Sequence, residues 1–267
     1  MKKLLFFFVL VFLVGCASHI YPAKVEKKSA TLEKVNNIDN LPQQPFTDKV
    51  IAIVAPEIHF IKDEDKSTFD IDDIFTKTLK SKLSVYMISD IEELLLKKGF
   101  KIKGPYDSFD EITYEDKKKT YLAFVPKVYL YIKKETKDRY CAMNYCFERG
   151  VLKISGNVKI ILEEPLTKQI FMVKNIKIQS FSQEYEYGSP FVFNLNSQNS
   201  LNQIGLLNQR NIPLQKRVVI DNTQKVLADL LNKFYHSFVS QMIKYIDKEE
   251  ILSYAKDIKH LKAQKRY

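Results

Sequence analysis

Glycine is scarce in this chain. Seven glycines among 267 residues, none in a G-x-G-x-x-G or P-loop setting, leave no phosphate-cradling turn and argue against a nucleotide-binding fold. There is no G-x-S-x-G nucleophile elbow and no H-E-x-x-H pair. The four histidines, His19, His59, His236 and His260, are scattered. In "DEDKSTFDIDD" (63–73), Asp63 and Asp65 have the opening spacing of a calcium loop. Thr68 stands where the turn glycine belongs, and Ile74 where the bidentate glutamate belongs. Carboxylates complementing the start of a helix explain that cluster better. The paired glutamates at 92–93 and 163–164 read as solvated faces. The expectation is a protein without catalytic chemistry, cofactor or metal.

The N-terminal apolar run, Leu4–Val14, is too short for a spanning helix, which needs about 20 such residues. It follows Lys2 and Lys3 and ends in Gly15-Cys16. A short positive start, an apolar core of this length and a small residue before the cut form a signal peptide. A cysteine directly after the cut is the diacylglycerol acceptor of bacterial lipoproteins, and two or more acyl chains hold a protein stably in a bilayer. An ordinary leader with a chance cysteine is the alternative. Ala17 is not the aspartate that would signal inner-membrane retention, so the lipid partner is assigned to the outer membrane.

Two cysteines remain, Cys141 and Cys146, in "CAMNYC". An exported compartment permits a disulfide between them, and closing so short a loop gives roughly 2 kcal/mol in the chain-entropy model. A metal site is the alternative, but a single pair lacks zinc-ribbon spacing. Losing Lys2 and Lys3 with the leader lowers the formal charge from +10 to +8. That favours acidic partners such as anionic glycans or lipid headgroups. Nucleic acid is not expected for an exported chain.

Residues 1–15 are thus a leader, and 16–48 a lipidated cysteine and polar tether. Residues 49–267 are one α+β domain. "KVIAIVA" (49–55) reads as a buried strand. Ser67 offers a helix N-cap. Ile74, Phe75, Leu79, Leu83, Met87, Ile91, Leu94 and Leu95 recur at three- and four-residue steps up to Gly99, a helical stripe with its stop. "FKIK" (100–103) is a short strand. Leu122, Phe124, Val128, Leu130 and Ile132 alternate, as do Leu152, Ile154, Val158, Ile160 and Leu162. A third alternation, Ile170, Met172, Ile176 and Ile178, is broken by Lys174. Period-two alternation buries one face of a sheet, and Pro126 suggests an edge or a bulge. Residues 188–216 form a long Asn- and Gln-rich loop. Val219, Val226, Leu230, Phe234, Phe238, Met242 and Ile246 mark a second long helix, before a basic helical tail. The order β-α-β-β-β-β-α(α) gives an antiparallel or mixed sheet with one face packed on two long helices.

"KKETKDR" (133–139) lies between a strand and the cysteine pair, so it is expected to tip a hairpin. Lys133, Lys134, Lys137 and Arg139 there could meet the carboxylate of an anionic sugar, with Tyr140 and Tyr145 stacking on its ring. The same charges also solvate a hairpin end and oppose edge pairing.

The stretches "LVGCASHI", "LLLKKGFKI", "YLAFV", "GVLKISGNVKIILEEP" and "ILSYAKDIKHLKAQKR" occur in an order that resembles the neuraminyllactose-binding haemagglutinin family, the HpaA-type outer-membrane lipoproteins. The resemblance implies a surface or flagellar-sheath lipoprotein acting as an adhesin for sialylated glycans. The family's sugar motif is a basic heptapeptide, and "KKETKDR" occupies its place. Lys133 matches its opening lysine, and Lys134 replaces an arginine. Glu135 stands at a threonine, Thr136 and Asp138 depart from the pattern, and Lys137 and Arg139 keep positive charge. Such departures fit a paralogue. The competing reading is a structural envelope or sheath lipoprotein that works through protein contacts.

Overall fold

The computed structural model describes residues 24–34, 38–62, 73–142, 145–190 and 218–264. β1 (Lys24–Lys27), β2 (Val50–Val54) and β3 (Glu57–Lys62) come first. Then follow α1 (Asp73–Lys97), β4 (Lys101–Tyr106), a 3-10 turn (Phe109–Glu111) and α2 (Tyr114–Lys119). Three long strands come next, β5 (Leu122–Ala142), β6 (Tyr145–Glu163) and β7 (Ile170–Pro190). The chain closes with β8 (Val218–Asp221), α3 (Thr223–Tyr245), α4 (Lys248–Ser253) and α5 (Ala255–Gln264). The main sheet runs β4-β2-β5-β6-β7, and β3 continues the line of β2 along β5. β2 is parallel to β4 and β5, whereas β5, β6 and β7 are antiparallel. Parallel neighbours need a crossover, and α1 supplies it between the first parallel strands and β4.

All ten alternating residues expected in β5 and β6 are buried. They join Leu83, Met87 and Ile91 of α1 and Phe234, Phe238 and Met242 of α3 in one core. Each fully buried side chain of this kind contributes about 1.5–3 kcal/mol. In β7, Met172, Ile176 and Ile178 follow suit, but Ile170, at the strand's first position, is exposed. Lys174 does interrupt that face, and its ammonium is satisfied by both carboxylate oxygens of Glu250 in α4, at 2.6 and 2.7 Å. Val219 lies in β8 rather than on the second long helix, which begins at Thr223.

Gly99 ends α1 with φ +87°. Its N–H donates to Leu96 and that of Phe100 to Leu95, the Schellman pair that closes a helix on a left-handed residue. Pro126 sits in a central strand, not at an edge, and no irregularity falls at it. It lies opposite the break between β2 and β3, beyond the Phe124 register of one and before the Lys127 register of the other.

The second half of the expected tether is folded. β1 pairs with β8, and Leu32 and Ile38 are buried in the main core. Asn232 of α3 fixes this strap by accepting from Glu33 N–H at 2.9 Å and donating to the Thr31 carbonyl at 3.3 Å. Lys97 reaches the Asp39 carbonyl. Two isolated apolar residues have no periodicity, so only the surface made by the two long helices reveals where they go. Residues 16–23, the Ser67 cap and the Asp63–Asp65 pair lie outside the described residues, as do residues 191–217 of the expected loop.

Candidate functional site

The basic stretch 133–139 is not a hairpin tip. It lies within β5, which pairs with β6 as far as Ala142↔Tyr145 with one bulge, at Lys137 between Thr136 and Asp138. Alternation sends Lys133 and Lys134 to opposite faces, and the bulge at Lys137 resets the alternation so that Arg139 falls in register with Glu148. Lys134 follows Leu130 and Ile132 onto the helix-side face, where its side chain is 9% exposed and forms an ion pair with Glu148, itself 6% exposed. Tyr185 donates to the same carboxylate oxygen at 2.5 Å, and Thr136 does so at 3.2 Å. Burial pushes the Glu148 carboxyl up, but Lys134 and Tyr185 more than offset this and hold it below the usual glutamate value. Burial, with the Glu148 hydrogen bond adding to it, raises the Tyr185 hydroxyl well above its ordinary value. Lys134 is thus an internal partner for a carboxylate that the sheet itself encloses.

The other three residues are exposed. Lys133 lies on the outer face, opposite Lys153. Lys153 bonds Glu135 at 2.8 Å. Lys137 bonds Glu184 of β7 at 2.6 Å and holds that carboxyl below its ordinary value. Arg139 is in register with Glu148. A shallow depression of about 370 Å³ lies beside Lys133 on the outer face, walled by Ile61, Tyr131, Lys153 and Ser155. The backbone register sets Cys141 directly opposite Cys146. Their sulfurs and the rings of Tyr140 and Tyr145 lie outside the described side chains.

The stretch is also placed along the molecule. Glu186 of β7 exchanges bonds with Asn222, which follows β8: its N–H donates to Asn222 Oδ1 at 2.8 Å and its carbonyl accepts at 3.0 Å. The β1–β8 pair therefore lies at this end of the sheet, and residues 133–139 share it. Among the described residues no cluster of His, Cys, Asp and Glu could hold a metal, and no helix is long and apolar enough to cross a membrane.

The sequence along this whole architecture matches one family model, "Neuraminyllactose-binding hemagglutinin precursor", over residues 17–265. The chain belongs to the neuraminyllactose-binding hemagglutinin family. The hemagglutinin of Helicobacter pylori strain J99 is 23% identical over 95% of this chain and 90% of its own length, and a second Helicobacter pylori hemagglutinin is 22% identical with the same coverage. The crystal structure of a hemagglutinin homologue from Helicobacter pylori superposes with a TM-score of 0.57. It covers 86% of this chain and all of that one at 13% identity, so it shares the fold. Sequence reading missed Glu148 and Tyr185 as partners of Lys134. The available signal was their position on the buried alternation of β6 and β7, which only the strand register makes visible.

Proposed function

We propose that this family member is an outer-membrane lipoprotein, anchored through acylated Cys16 and displayed at the cell surface or on a flagellar sheath, that binds sialylated glycans without catalysis. The observation that carries the reading is the family match beginning at residue 17, directly after the cysteine that follows the short apolar leader. Lys133, Lys137 and Arg139 are the exposed basic residues of the stretch, and their charge would meet a glycan carboxylate. Lys134 is withdrawn, because its charge is committed to Glu148. Exposed ion pairs contribute only about 0–1 kcal/mol each, so a single copy binds weakly and many anchored copies supply avidity. The test is a glycan array with bead-displayed protein, comparing the wild type with a variant changed to Ser at Lys133, Lys137 and Arg139. Signal on sialylated glycans should fall in the variant and with added salt. Binding that survives the three changes clears the stretch of this role.

A second reading, a structural envelope lipoprotein, draws support from the outer sheet face, where Ile61, Tyr131 and Val173 stay exposed. It requires envelope proteins to co-purify after mild crosslinking while the array stays blank.

A further inference from the structure

At the other end of the sheet, three separate segments bring lysines to one groove of about 610 Å³. Lys49 precedes β2, Lys119 ends α2, and Lys256, Lys259 and Lys262 come from α5. The α5 lysines stand three apart, so they line one side of the helix at steps of about 4.5 Å along its axis. Lys262 is structural. It donates to the carbonyls of Lys117, Lys118 and Thr120, which close α2, and it sits 3.5 Å from the buried carboxylate of Glu164. Ile258, buried in the main core, holds α5 in place beside the groove. Asp48 is the one acidic residue lining the groove, and it is 80% exposed and paired with Lys49 at 3.0 Å. Asp257 follows Lys256 on α5 and is exposed but does not line the groove. Among the described residues, Lys119, Lys256 and Lys259 form no ion pair.

Converging like charges repel one another; the exposed Glu115, one turn before Lys119 on α2, acts on Lys119 without pairing with it, and among the described residues no ion pair relieves Lys256 or Lys259. Lysine is a compact, rotatable point charge that pairs with sulfate or phosphate oxygens from many directions, whereas an arginine fork grips one planar or tetrahedral anion through two parallel bonds, so several converging lysines suit a ligand that carries several anions. No arginine lines this groove, and its one ring, Tyr121, is buried with its hydroxyl bonded to the Ile251 carbonyl. These features disfavour a sugar recognised through one carboxylate and a stacked ring. They favour a chain with several monoester anions. The groove also lies some 50 Å along β7 from the end where β1 leads toward residue 16, by strand rise. The eight residues from Cys16 to Lys24 reach at most roughly 28 Å. On the anchoring proposed above, the β1 end is nearest the bilayer and the groove is at the far end. Only this orientation, not the groove itself, rests on that reading.

We propose that the lysine groove between α5, the end of α2 and the start of β2 binds a glycan chain bearing sulfate or phosphate monoesters. The test uses the mature chain immobilised by its N-terminus. The probes are a heparin-derived octasaccharide, a phosphorylated mannan oligosaccharide, sialyllactose and neutral dextran, with anionic phospholipid vesicles in a separate flotation arm. The sulfated or phosphorylated probe, or both, should bind, and binding should weaken as salt rises. Lys119→Ser with Lys256→Ser and Lys259→Ser should lower affinity about tenfold or more, since three exposed pairs are lost. The same three residues changed to Arg should retain binding, and Lys77→Ser with Lys80→Ser, exposed on α1, should leave it unchanged. Thermal melts of all variants check that they remain folded. Equal binding by the Ser variant overturns the proposal. So does equal binding of sialyllactose or dextran, or vesicle binding through these same lysines. A blank sialoglycan array beside intact octasaccharide binding removes only the sialic-acid reading, and the converse result removes only the groove.

Discussion

Two buried carboxylates show how environment, rather than residue type, decides what a charge does here. Glu148 is paired, and removing it would leave Lys134 charged in a low-dielectric site. Glu148→Ala should cost about 3–5 kcal/mol, whereas Lys134→Met combined with Glu148→Leu should recover most of it. Urea midpoints of the wild type and the two variants check this. The Glu148 carboxyl is held below its ordinary value of 4.5. Its contribution is therefore fully present above that pH and is lost as pH falls through the folded value. The advantage of wild type over Glu148→Gln should shrink in acid. Asp90 has the opposite sign. It is buried in α1, accepts a hydrogen bond from Tyr235, and has Lys34 only at 3.9 Å. Burial raises its pKa above 3.8, with the Tyr235 bond and Lys34 opposing. Stability relative to Asp90→Asn should thus fall as pH rises through 3.8 toward the folded value. A flat difference from about pH 3 to 7 would show that Asp90 is not a desolvated charge.

At the scale of elements, the antiparallel strands are the distinctive feature. Strands of 21, 19 and 21 residues extend about 60–70 Å, several times an ordinary strand. Their inner halves were legible because apolar and polar residues alternate. Their outer halves were not, because "KKETKDR" has the composition of a loop and becomes strand only when paired with β6. Tight spacing supports the pairing. A Cβ at Gly156 would sit 2.1 Å from the Tyr129 carbonyl oxygen and 3.1 Å from the Phe234 ring. Gly156→Ala should therefore destabilise by about 1–3 kcal/mol, read by thermal melting. A neutral result would mean that β5 and β6 can move apart. The register of Cys141 with Cys146 places the two residues directly opposite on antiparallel strands, within the Cα spacing that a disulfide spans. Protein taken from its native envelope should show both thiols blocked to alkylation by intact mass. Two alkylated cysteines would refute this.

For the whole molecule, the long strands of the sheet define two ends. The β1–β8 pair lies with residues 133–139, and the lysine groove lies at the far end of β7. If Cys16 carries the lipid, Cys16→Ser should leave the protein unprocessed or release it from membranes. A variant that fractionates with the outer membrane at mature size would defeat the assignment. Protease shaving of whole cells then separates the two functional readings, because a domain facing the periplasm cannot contact an external glycan.

The sequence by itself determined what depends on neighbours along the chain: the two helical stripes, Gly99 as a helix stop and the alternation that buries one side of the sheet. Each is a local pattern, since helix and strand periods act over a few residues. Tertiary structure alone decided what depends on distant partners. It turned 133–139 from a loop into strand and spent Lys134 on Glu148. It drew Leu32 and Ile38 from an apparent tether into the core, and it gathered Lys49, Lys119 and the α5 lysines from segments up to 213 positions apart. A charge carries no period that reveals its partner, so only the folded chain shows which lysines are neutralised and which converge.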